Sequence, residues 1–398
     1  MPRVPTVDYD PFHATTRADP YPTYTRLRDA APVIRTIIDD WEVYGLTRYT
    51  HVHAALSDHH RFTARDGLGV YPVDRWQGGV IVTCDPPEHT RIRRAVAHHT
   101  GPAALAGWRA QIQELADTTL QPLLHHDSID ATTDLARPLV TTALADFLGL
   151  PDTEREHLPG WADAATNMHG PATARTAADI NHVATAAQHV QRLRHDGTLH
   201  PQRLGAQLGQ AAAAGTITDD EASNLLFGMI VAGIHSSASF LGLLLAALAR
   251  FPDQWLAART DPHLIDSLVE EALRYDTPLP LLFRTAATDL DIDGYTVPQG
   301  ARVMMMYAAA NRDPRHWPLP DVLDASRFQY TRRAQHLTFG AGNHLCLGAP
   351  LLRLEAGCLL RSLANHRIRR IRAAGQPRLD PNTIVRGYAS LPLHLDRD

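Results

Sequence analysis

The sequence has no lysine: all 38 of its basic residues are arginines, and 43 acidic residues give a formal net charge of −5. The strongest basic cluster, RIRRIR at residues 367–372, lacks the flanking aromatic residues and the recognition helix of a nucleic-acid-binding site. Its alternation with isoleucine predicts a strand that presents arginines to solvent. We therefore expect no nucleic-acid partner.

Cysteine is also scarce. The chain has three, Cys84, Cys346 and Cys358, and this odd count is not a disulfide framework and suits a reducing cytoplasm. The 23 histidines are scattered, without HExxH, CxxC or H-x3-H spacing, so they predict no metal site of their own.

The amino terminus carries charges and prolines where a signal peptide needs an apolar segment. On the premise that charged residues interrupt every later apolar run within about eighteen residues, we expect no membrane-spanning helix. Both points favour a cytoplasmic protein.

Helical patterns dominate the chain. Runs such as RPLVTTALADFLGL and ADINHVATAAQHVQRLRHDG repeat apolar residues every three or four positions and end near Gly or Pro. Strand-like segments are short: WEVYGLTRY near the start and LDIDGYTVPQGARVMMMYAAA in the last third. Without a repeat or a low-complexity linker, the sequence predicts a mainly α protein with a minor β part, in one domain over residues 1–398.

One stretch, LTFGAGNHLCLGAPLLRLE at residues 337–355, indicates chemistry. Gly340, Gly342 and Gly348 would let the backbone beside Cys346 approach a bulky flat partner closely. A helix predicted to begin just after the cysteine would bring amide N–H groups and the positive end of its dipole to the sulfur, which favours the thiolate. Such a thiolate suits the axial position of a haem iron. The alternative is a buried free cysteine in a glycine-rich turn.

The string FGAGNHLCLG, residues 339–348, resembles the haem-binding signature of the cytochromes P450 and matches it at every fixed position. The resemblance runs from about residue 10 to the end, and it implies the cytochrome P450 fold of the soluble bacterial type and a haem b cofactor. It implies Cys346 as the iron ligand, Phe339 near the sulfur, His344 at a basic position of the family, and Gly340 and Gly348 beside the haem.

No flavin or nicotinamide domain is evident. GAGNHL fails the G-x-G-x-x-G pattern because Leu345 stands at the last glycine, and it follows no βα unit. The resemblance therefore implies a ferredoxin-type electron donor with its reductase as partner.

A second match is EALR, which places Glu271 and Arg274 on one helix face. It resembles the buried structural pair of the family, and residues 320–328 resemble the meander that completes that network, although Leu323 stands where an aromatic residue is common. The alternative is a solvated surface pair.

DPPEHTRIRR resembles the segment in which His89 and Arg93, one helical turn apart, bind a haem propionate. Arg284 and His336 resemble the partners on the other side. Ala232, on a long apolar helix, resembles a residue that borders the haem. For each of these cationic residues, the alternative interpretation is an ordinary charged side chain at the protein surface.

The long helix departs from the family at AGIHS, where most members carry an acid followed by a threonine that relay protons. The corresponding residues are His235 and Ser236, which we predict to be catalytic. Serine can donate and accept a hydrogen bond, and histidine exchanges protons near neutral pH, so the relay is altered rather than absent. The alternative is that His235 points away and only packs.

This departure bears on the reaction. Oxidation of a phenol, indole or imidazole can use the substrate's own acidic hydrogen, so the altered relay favours oxidative coupling or cross-linking of aromatic groups in a short peptide or similar natural product. Hydroxylation of a small secondary metabolite is the first alternative. A non-catalytic haem-binding or recruitment protein and a peroxide-using enzyme are the others.

Substrate contacts follow from position alone. We predict a small-molecule or short-peptide substrate, and the residues in positions that resemble the family's pocket lining are Tyr71, Trp76, Met229, Leu282, Phe283 and Tyr388. The aromatic members could stack on a substrate ring, with plain loop packing as the alternative.

Overall fold

The computed structural model of the protein describes residues 3–72, 80–329 and 335–398. Trp76 lies outside these ranges, so its predicted substrate contact stays a prediction.

Helices make up most of the described chain, as the apolar periodicity predicts. The α-helices in chain order are α1 (Ala14–Ala18), α2 (Tyr21–Ala30), α3 (Tyr49–Ser57), α4 (Glu88–Thr100), α5 (Pro102–Leu105), α6 (Arg109–Leu123), α7 (Arg137–Leu148), α8 (Leu158–Asn167), α9 (Ala174–His195), α10 (Leu204–Ala213), α11 (Asp219–Arg250), α12 (Pro252–Thr260), α13 (Leu264–Tyr275), α14 (Tyr307–Ala310) and α15 (Ala349–Asn365). Five short segments with tighter or wider turns lie between them: Ile81–Thr83, Ala106–Trp108, Ala131–Ala136, Asp152–Glu154 and Gly342–His344.

The strands are short and form four small sheets. In chain order they are β1 (Val33–Ile38), β2 (Trp41–Leu46), β3 (Phe62–Thr63), β4 (Ile129–Asp130), β5 (Leu282–Ala286), β6 (Leu290–Ile292), β7 (Tyr295–Val297), β8 (Arg302–Met305), β9 (Ile368–Ala373), β10 (Arg378–Leu379), β11 (Tyr388–Ser390) and β12 (Pro392–Arg397). The largest sheet has the order β1-β2-β8-β5-β3, and a three-stranded sheet has the order β4-β12-β9. In β9, Ile368 and Ile371 are buried and the arginines exposed, as predicted.

Helix α11 organises the helical part of the fold. It begins with a capping box in which the Thr218 hydroxyl accepts from the Glu221 N–H at 3.1 Å and the Glu221 carboxylate accepts from the Thr218 N–H at 2.7 Å. From there it runs for 32 residues and packs against α7, α8, α9 and α10. Most of its leucines and isoleucines lie in the main hydrophobic core.

The premise used against a membrane span is wrong for this helix. Residues 222–249 contain no Asp, Glu, Lys or Arg. By length and composition α11 could therefore cross a membrane, but 67% of its most apolar window is buried inside the fold. Its apolar character is explained by packing in the protein core.

Candidate active site

The loop around Cys346 is shaped by glycine. Gly340 and Gly342 have φ angles of 70° and 66°, in the left-handed region that other residues rarely adopt. A Cβ on Gly342 would lie 2.6 Å from the carbonyl oxygen of Leu56 in α3, so only glycine lets the loop approach that helix. The turn closes with the Cys346 N–H donating to the Phe339 carbonyl at 2.9 Å.

The Cys346 side chain lies deep in the protein, yet its surface is accessible to water. These two facts agree if the sulfur faces an interior cleft. Burial raises the pKa of the Cys346 thiol, while N–H groups of Gly348 and Ala349, at the start of α15, donate to the sulfur and lower it; the Arg93 and Arg353 guanidinium groups act in the same direction. A bound metal ion would tip this balance to the thiolate.

Four cationic or titratable side chains meet beside this loop: His89 and Arg93 from α4, Arg284 from β5, and His344. The rings of His89 and His344 are 4.3 Å apart. Burial, with the positive charges of Arg284, His89 and Arg93 next in importance, lowers the pKa of His344 to about 2. The structure therefore brings together three of the residues predicted to bind the propionates, His89, Arg93 and Arg284, with His344, which was predicted only to stand at a basic position of the family.

This cluster lacks matching anions among the described residues. Both ring nitrogens of His89 and the Nε2 atom of His344 are buried without a hydrogen-bond partner. The carboxylate nearest His344, that of Asp85, lies 4.0 Å away and already accepts from Thr63 and the Ala64 N–H. Buried polar atoms are normally paired, so the cluster fits a dianionic group such as the two propionates of haem.

His59 joins this cluster but was not predicted. It accounts for part of the lowered pKa of both His89 and His344, and it hydrogen-bonds the Asn343 amide at 3.2 Å. It lies in the sequence SDHHRF far from the cysteine string, and no local pattern distinguishes it from the other scattered histidines.

His336 does not belong to the propionate group, contrary to the prediction. Its Nε2 atom lies 3.2 Å from the Glu270 carboxylate, and its Nδ1 atom accepts from the Thr338 N–H at 3.3 Å. Glu270 also receives two hydrogen bonds from Arg353, at 2.6 and 2.8 Å. With both ring nitrogens occupied, His336 anchors the start of the cysteine loop to α13.

Glu271 and Arg274 form a fully buried pair on α13. Two guanidinium N–H groups donate to the Glu271 carboxylate at 2.7 and 2.8 Å, and the others donate to backbone carbonyls of Asn311, Pro320 and Val322. Both side chains are 0% exposed. The pair therefore joins α13 to two downstream loops, as the structural network of the resemblance implies and unlike a surface pair.

On α11, the predicted residues Met229, Ala232 and Ser236 share one stripe at three- and four-residue spacing. Ala232 is exposed and the other two are half-buried, although Ile230 and Ile234 beside them are buried. The Ser236 hydroxyl donates to the Ala232 carbonyl at 2.7 Å. The rest of α11 packs largely in the main hydrophobic core, so the accessible surface of this stripe indicates an interior chamber.

His235 leaves this stripe and is directed at two carboxylates. Its Nε2 atom is 3.4 Å from Asp380, and its Nδ1 atom is 3.9 Å from Asp163 in α8. Burial lowers the pKa of His235, while Asp380 and Asp163 oppose the shift. Neither aspartate was predicted, because each lies more than 70 positions away in the sequence.

The two predicted substrate residues in β5 differ in their exposure. Leu282 is half-buried in β5, but Phe283 is 0% exposed and packs in a core cluster with Leu27 and Met304, which contradicts its predicted substrate contact. Neighbours in a strand point to opposite faces, so only one of the two can face the chamber.

The contacts of the two remaining described aromatic residues are made with other parts of the fold. The Tyr71 hydroxyl donates to Asp39 at the tip of the β1–β2 hairpin, at 2.6 Å. Tyr388 lines a surface cleft with Asp276, Arg386 and Leu243. Leu243 is seven residues from Ser236, about 10 Å along the helix axis. The position of Tyr388 in this cleft does not support its predicted stacking on a substrate in the chamber, and the predicted contact of Tyr71 stays a prediction.

Comparison with known proteins gives the family. The cytochrome P450 family model matches residues 191–366. The chain is 34% identical over 397 residues to cytochrome p450 CYP199A2 of Rhodopseudomonas palustris, covering 98% of this chain and 95% of that protein. It is 31% identical over 406 residues to the cytochrome P450 monooxygenase PikC of Streptomyces venezuelae, covering 99% of this chain and 95% of that protein.

Among solved structures, CxnD is described as a cytochrome P450 enzyme for C–S bond formation in chuangxinmycin biosynthesis. It has a TM-score of 0.84 and 26% identity, covering 99% of this chain and 98% of that one. This chain is therefore a member of the cytochrome P450 family, an oxidoreductase of the monooxygenase type that binds haem b through a cysteine thiolate.

Proposed function

We propose that the protein is a single-domain, cytoplasmic haem-thiolate enzyme that oxidises a small natural product, with Cys346 as its iron ligand. The observation that carries this proposal is the convergence of Cys346 with the unpaired cluster His89, Arg93, Arg284 and His344. The cysteine supplies the axial sulfur, and the cluster supplies donors for both propionates. When bound, the haem supplies oxygen activation, which thiolate ligation favours.

The surrounding residues have supporting roles. Phe339 is nearly buried and packs beneath the Arg353 guanidinium, 4.6 Å from its ring centroid. Its carbonyl accepts from the Cys346 N–H, so it holds the turn that presents the sulfur. Gly348 has its Cα close to the Cys346 sulfur, since an added Cβ would lie 3.7 Å from it. Glu271 and Arg274 hold the fold around the loop and take no part in the chemistry.

For the reaction, we favour monooxygenation of a small substrate. Ser236 keeps a hydroxyl group on the stripe that borders the chamber, while the neighbouring His235 is directed away from the stripe toward Asp163 and Asp380. The relative PikC is named a monooxygenase, which supports the same reaction class. Phe283 is in the core and Tyr388 lines a surface cleft, so the aromatic stacking expected for a cross-linking enzyme loses support.

Oxidative coupling is the second candidate. The helix position that carries an acid in most of the family is a histidine in this chain, and CxnD, a structural neighbour, is described as forming a C–S bond. A ferredoxin-type donor with its reductase is the proposed electron source for either reaction.

Two experiments test these proposals. First, the purified protein is loaded with haem, reduced and exposed to carbon monoxide: a thiolate-type Soret band that is lost in Cys346→Ala and kept in Cys358→Ala supports the assigned ligand. An unchanged band in Cys346→Ala refutes it.

Second, optical titration against aromatic peptides and against aliphatic polyketides or fatty acids selects a substrate, and mass analysis of its product separates the reactions. Gain of one oxygen supports monooxygenation. Loss of two hydrogens without oxygen gain refutes it and supports coupling.

A further inference from the structure

Three separate segments of the chain meet at His235. The imidazole belongs to α11, Asp163 to α8, and Asp380 to the segment that follows β10. The side chains of His235 and Asp380 are 10% and 9% exposed, whereas Asp163 is 36% exposed and reaches solvent. We call this group the His235 cluster; it joins two outer segments to the central helix.

Both carboxylates are held in place by other residues. Asn382, which is fully buried, donates its backbone N–H to Asp380 and its side-chain amide to Asp163, each at 2.8 Å. Arg175 binds the other Asp163 oxygen at 2.6 Å. The remaining Asp380 oxygen is the one that faces His235. The carboxylates are therefore preorganised around the imidazole rather than attracted to it by chance.

The contacts of His235 itself are incomplete. Its Nε2 atom is buried and makes no hydrogen bond, and its distances of 3.4 and 3.9 Å to the two carboxylates exceed the roughly 2.7–2.9 Å of a charge-assisted bond. A neutral imidazole has one N–H and can serve only one carboxylate, whereas the imidazolium has two. The geometry is that of a neutral histidine placed between two hydrogen-bond acceptors. A protonated His235 could donate to both carboxylates at once.

We propose that His235 is a proton-operated latch: uptake of a proton from solvent at the Asp163 side lets the imidazolium donate to Asp163 and Asp380 together, which draws α8 and the segment after β10 onto α11. This rests on the proposed function, because α11 lines the chamber in which the substrate would be oxidised. Asp163 and Asp380 are positioning residues for the latch.

The charges around the imidazole set the pH at which the latch acts. Burial disfavours the imidazolium, the carboxylates of Asp380 and Asp163 favour it, and Arg137 from α7 and Arg175 from α9 oppose it. The net effect lowers the pKa of His235 below its usual range near 6.5, so the latch engages as the pH falls below neutral. A divalent metal ion fits less well, because both Asp163 oxygens already have donors and two arginines are close.

The test is hydrogen exchange of backbone amides in α8 and residues 378–391 of the haem-loaded protein, corrected for intrinsic pH dependence. We expect exchange in both segments to slow about tenfold as the pH falls from roughly 6.5 to 4.5, because the lowered pKa of His235 places its protonation below the ordinary histidine value near 6.5. His235→Gln, which cannot take up the proton, should remove this response. Asp117→Asn is the matched control, because it removes a carboxylate 3.8 Å from His366, outside the cluster.

An NMR titration of His235 in the diamagnetic ferrous carbonyl form gives a second measurement if His235→Gln folds poorly. Asp163→Asn and Asp380→Asn should each lower the pKa of His235 by about one unit or more, since an opposite charge at this range shifts a pKa by about 1–3 units. An unchanged pH response in His235→Gln, or an unchanged His235 pKa in both aspartate variants, overturns the latch.

Protection by added Zn²⁺ at constant pH, lost in His235→Gln, would also overturn the latch and identify a metal site instead. Exchange requires no turnover, so a failure to oxidise any substrate would refute the proposed function and leave the latch standing.

Discussion

Replacing Arg274 with leucine removes a fully buried guanidinium group whose hydrogen bonds join α13 to two downstream loops. Its guanidinium makes two bonds to Glu271 and further bonds to the carbonyls of Asn311, Pro320 and Val322. Breaking a buried ion pair by removing one partner costs about 3–5 kcal/mol, because the other charge stays buried. Arg327 still donates to Glu271 at 3.0 Å, which keeps the expected loss within that range rather than above it.

A loss of this size lowers the ratio of folded to unfolded protein by roughly 100- to 4,000-fold, since 1.4 kcal/mol is a factor of ten. Equilibrium urea unfolding of the haem-loaded protein, followed by fluorescence and by the Soret band, measures it. Arg361→Leu is the control: Arg361 pairs at 2.7 Å with Asp266, which is 76% exposed, and such a pair contributes about 0–1 kcal/mol. If Arg274→Leu costs no more than Arg361→Leu, the buried pair is not what holds α13 to the downstream loops.

Three further predictions follow from the structure. Gly342→Ala should destabilise the protein by about 1–3 kcal/mol and speed haem loss, because the residue has a positive φ and an added Cβ would clash with the backbone of α3; Gly107→Ala, in open space, is the control. Phe283→Ala should cost about 3–5 kcal/mol in urea unfolding while leaving substrate affinity nearly unchanged, and Leu282→Ala should do the reverse. Burial opposes ionisation of Glu270, but hydrogen bonds from Arg353 and His336 lower its pKa to about 2. The ionised carboxylate therefore stabilises the fold above its ordinary pKa near 4.3, and this contribution is lost as the pH falls from there to about 2. Glu270→Gln should make the free energy of unfolding depend less on pH between those two values.

Residues that act within one short string were well predicted from the sequence. The turn before Cys346, the helix after it and the Glu271–Arg274 pair each depend on spacings of a few residues, and local backbone geometry fixes those spacings. The fold class follows for the same reason, because helix periodicity is local.

Residues that meet across the fold were not predictable in this way. Asp163 and Asp380 reach His235 only through the packing of α8 and the chain after β10 against α11, and His59 reaches His344 only through the approach of α3 to the cysteine loop. The errors at Phe283 and His336 have a related cause. A sequence position places a residue on an element, but the face it occupies and the partners it finds depend on tertiary packing.

The partners of His235 explain why a histidine suits this position. A carboxylate there would face Asp163 and Asp380 in a largely buried space, and like charges at such distances cannot all be ionised. A histidine avoids that repulsion, is tolerated in its neutral form, and gains two acceptors when it is protonated. Asn382 and Arg175 hold the carboxylates in position, so the exchange of an acid for a histidine is matched by opposite charges on two other segments. The histidine at position 235 thus matches the charges of the residues that surround it, which supports a proton-dependent role for His235 more strongly than incidental packing would.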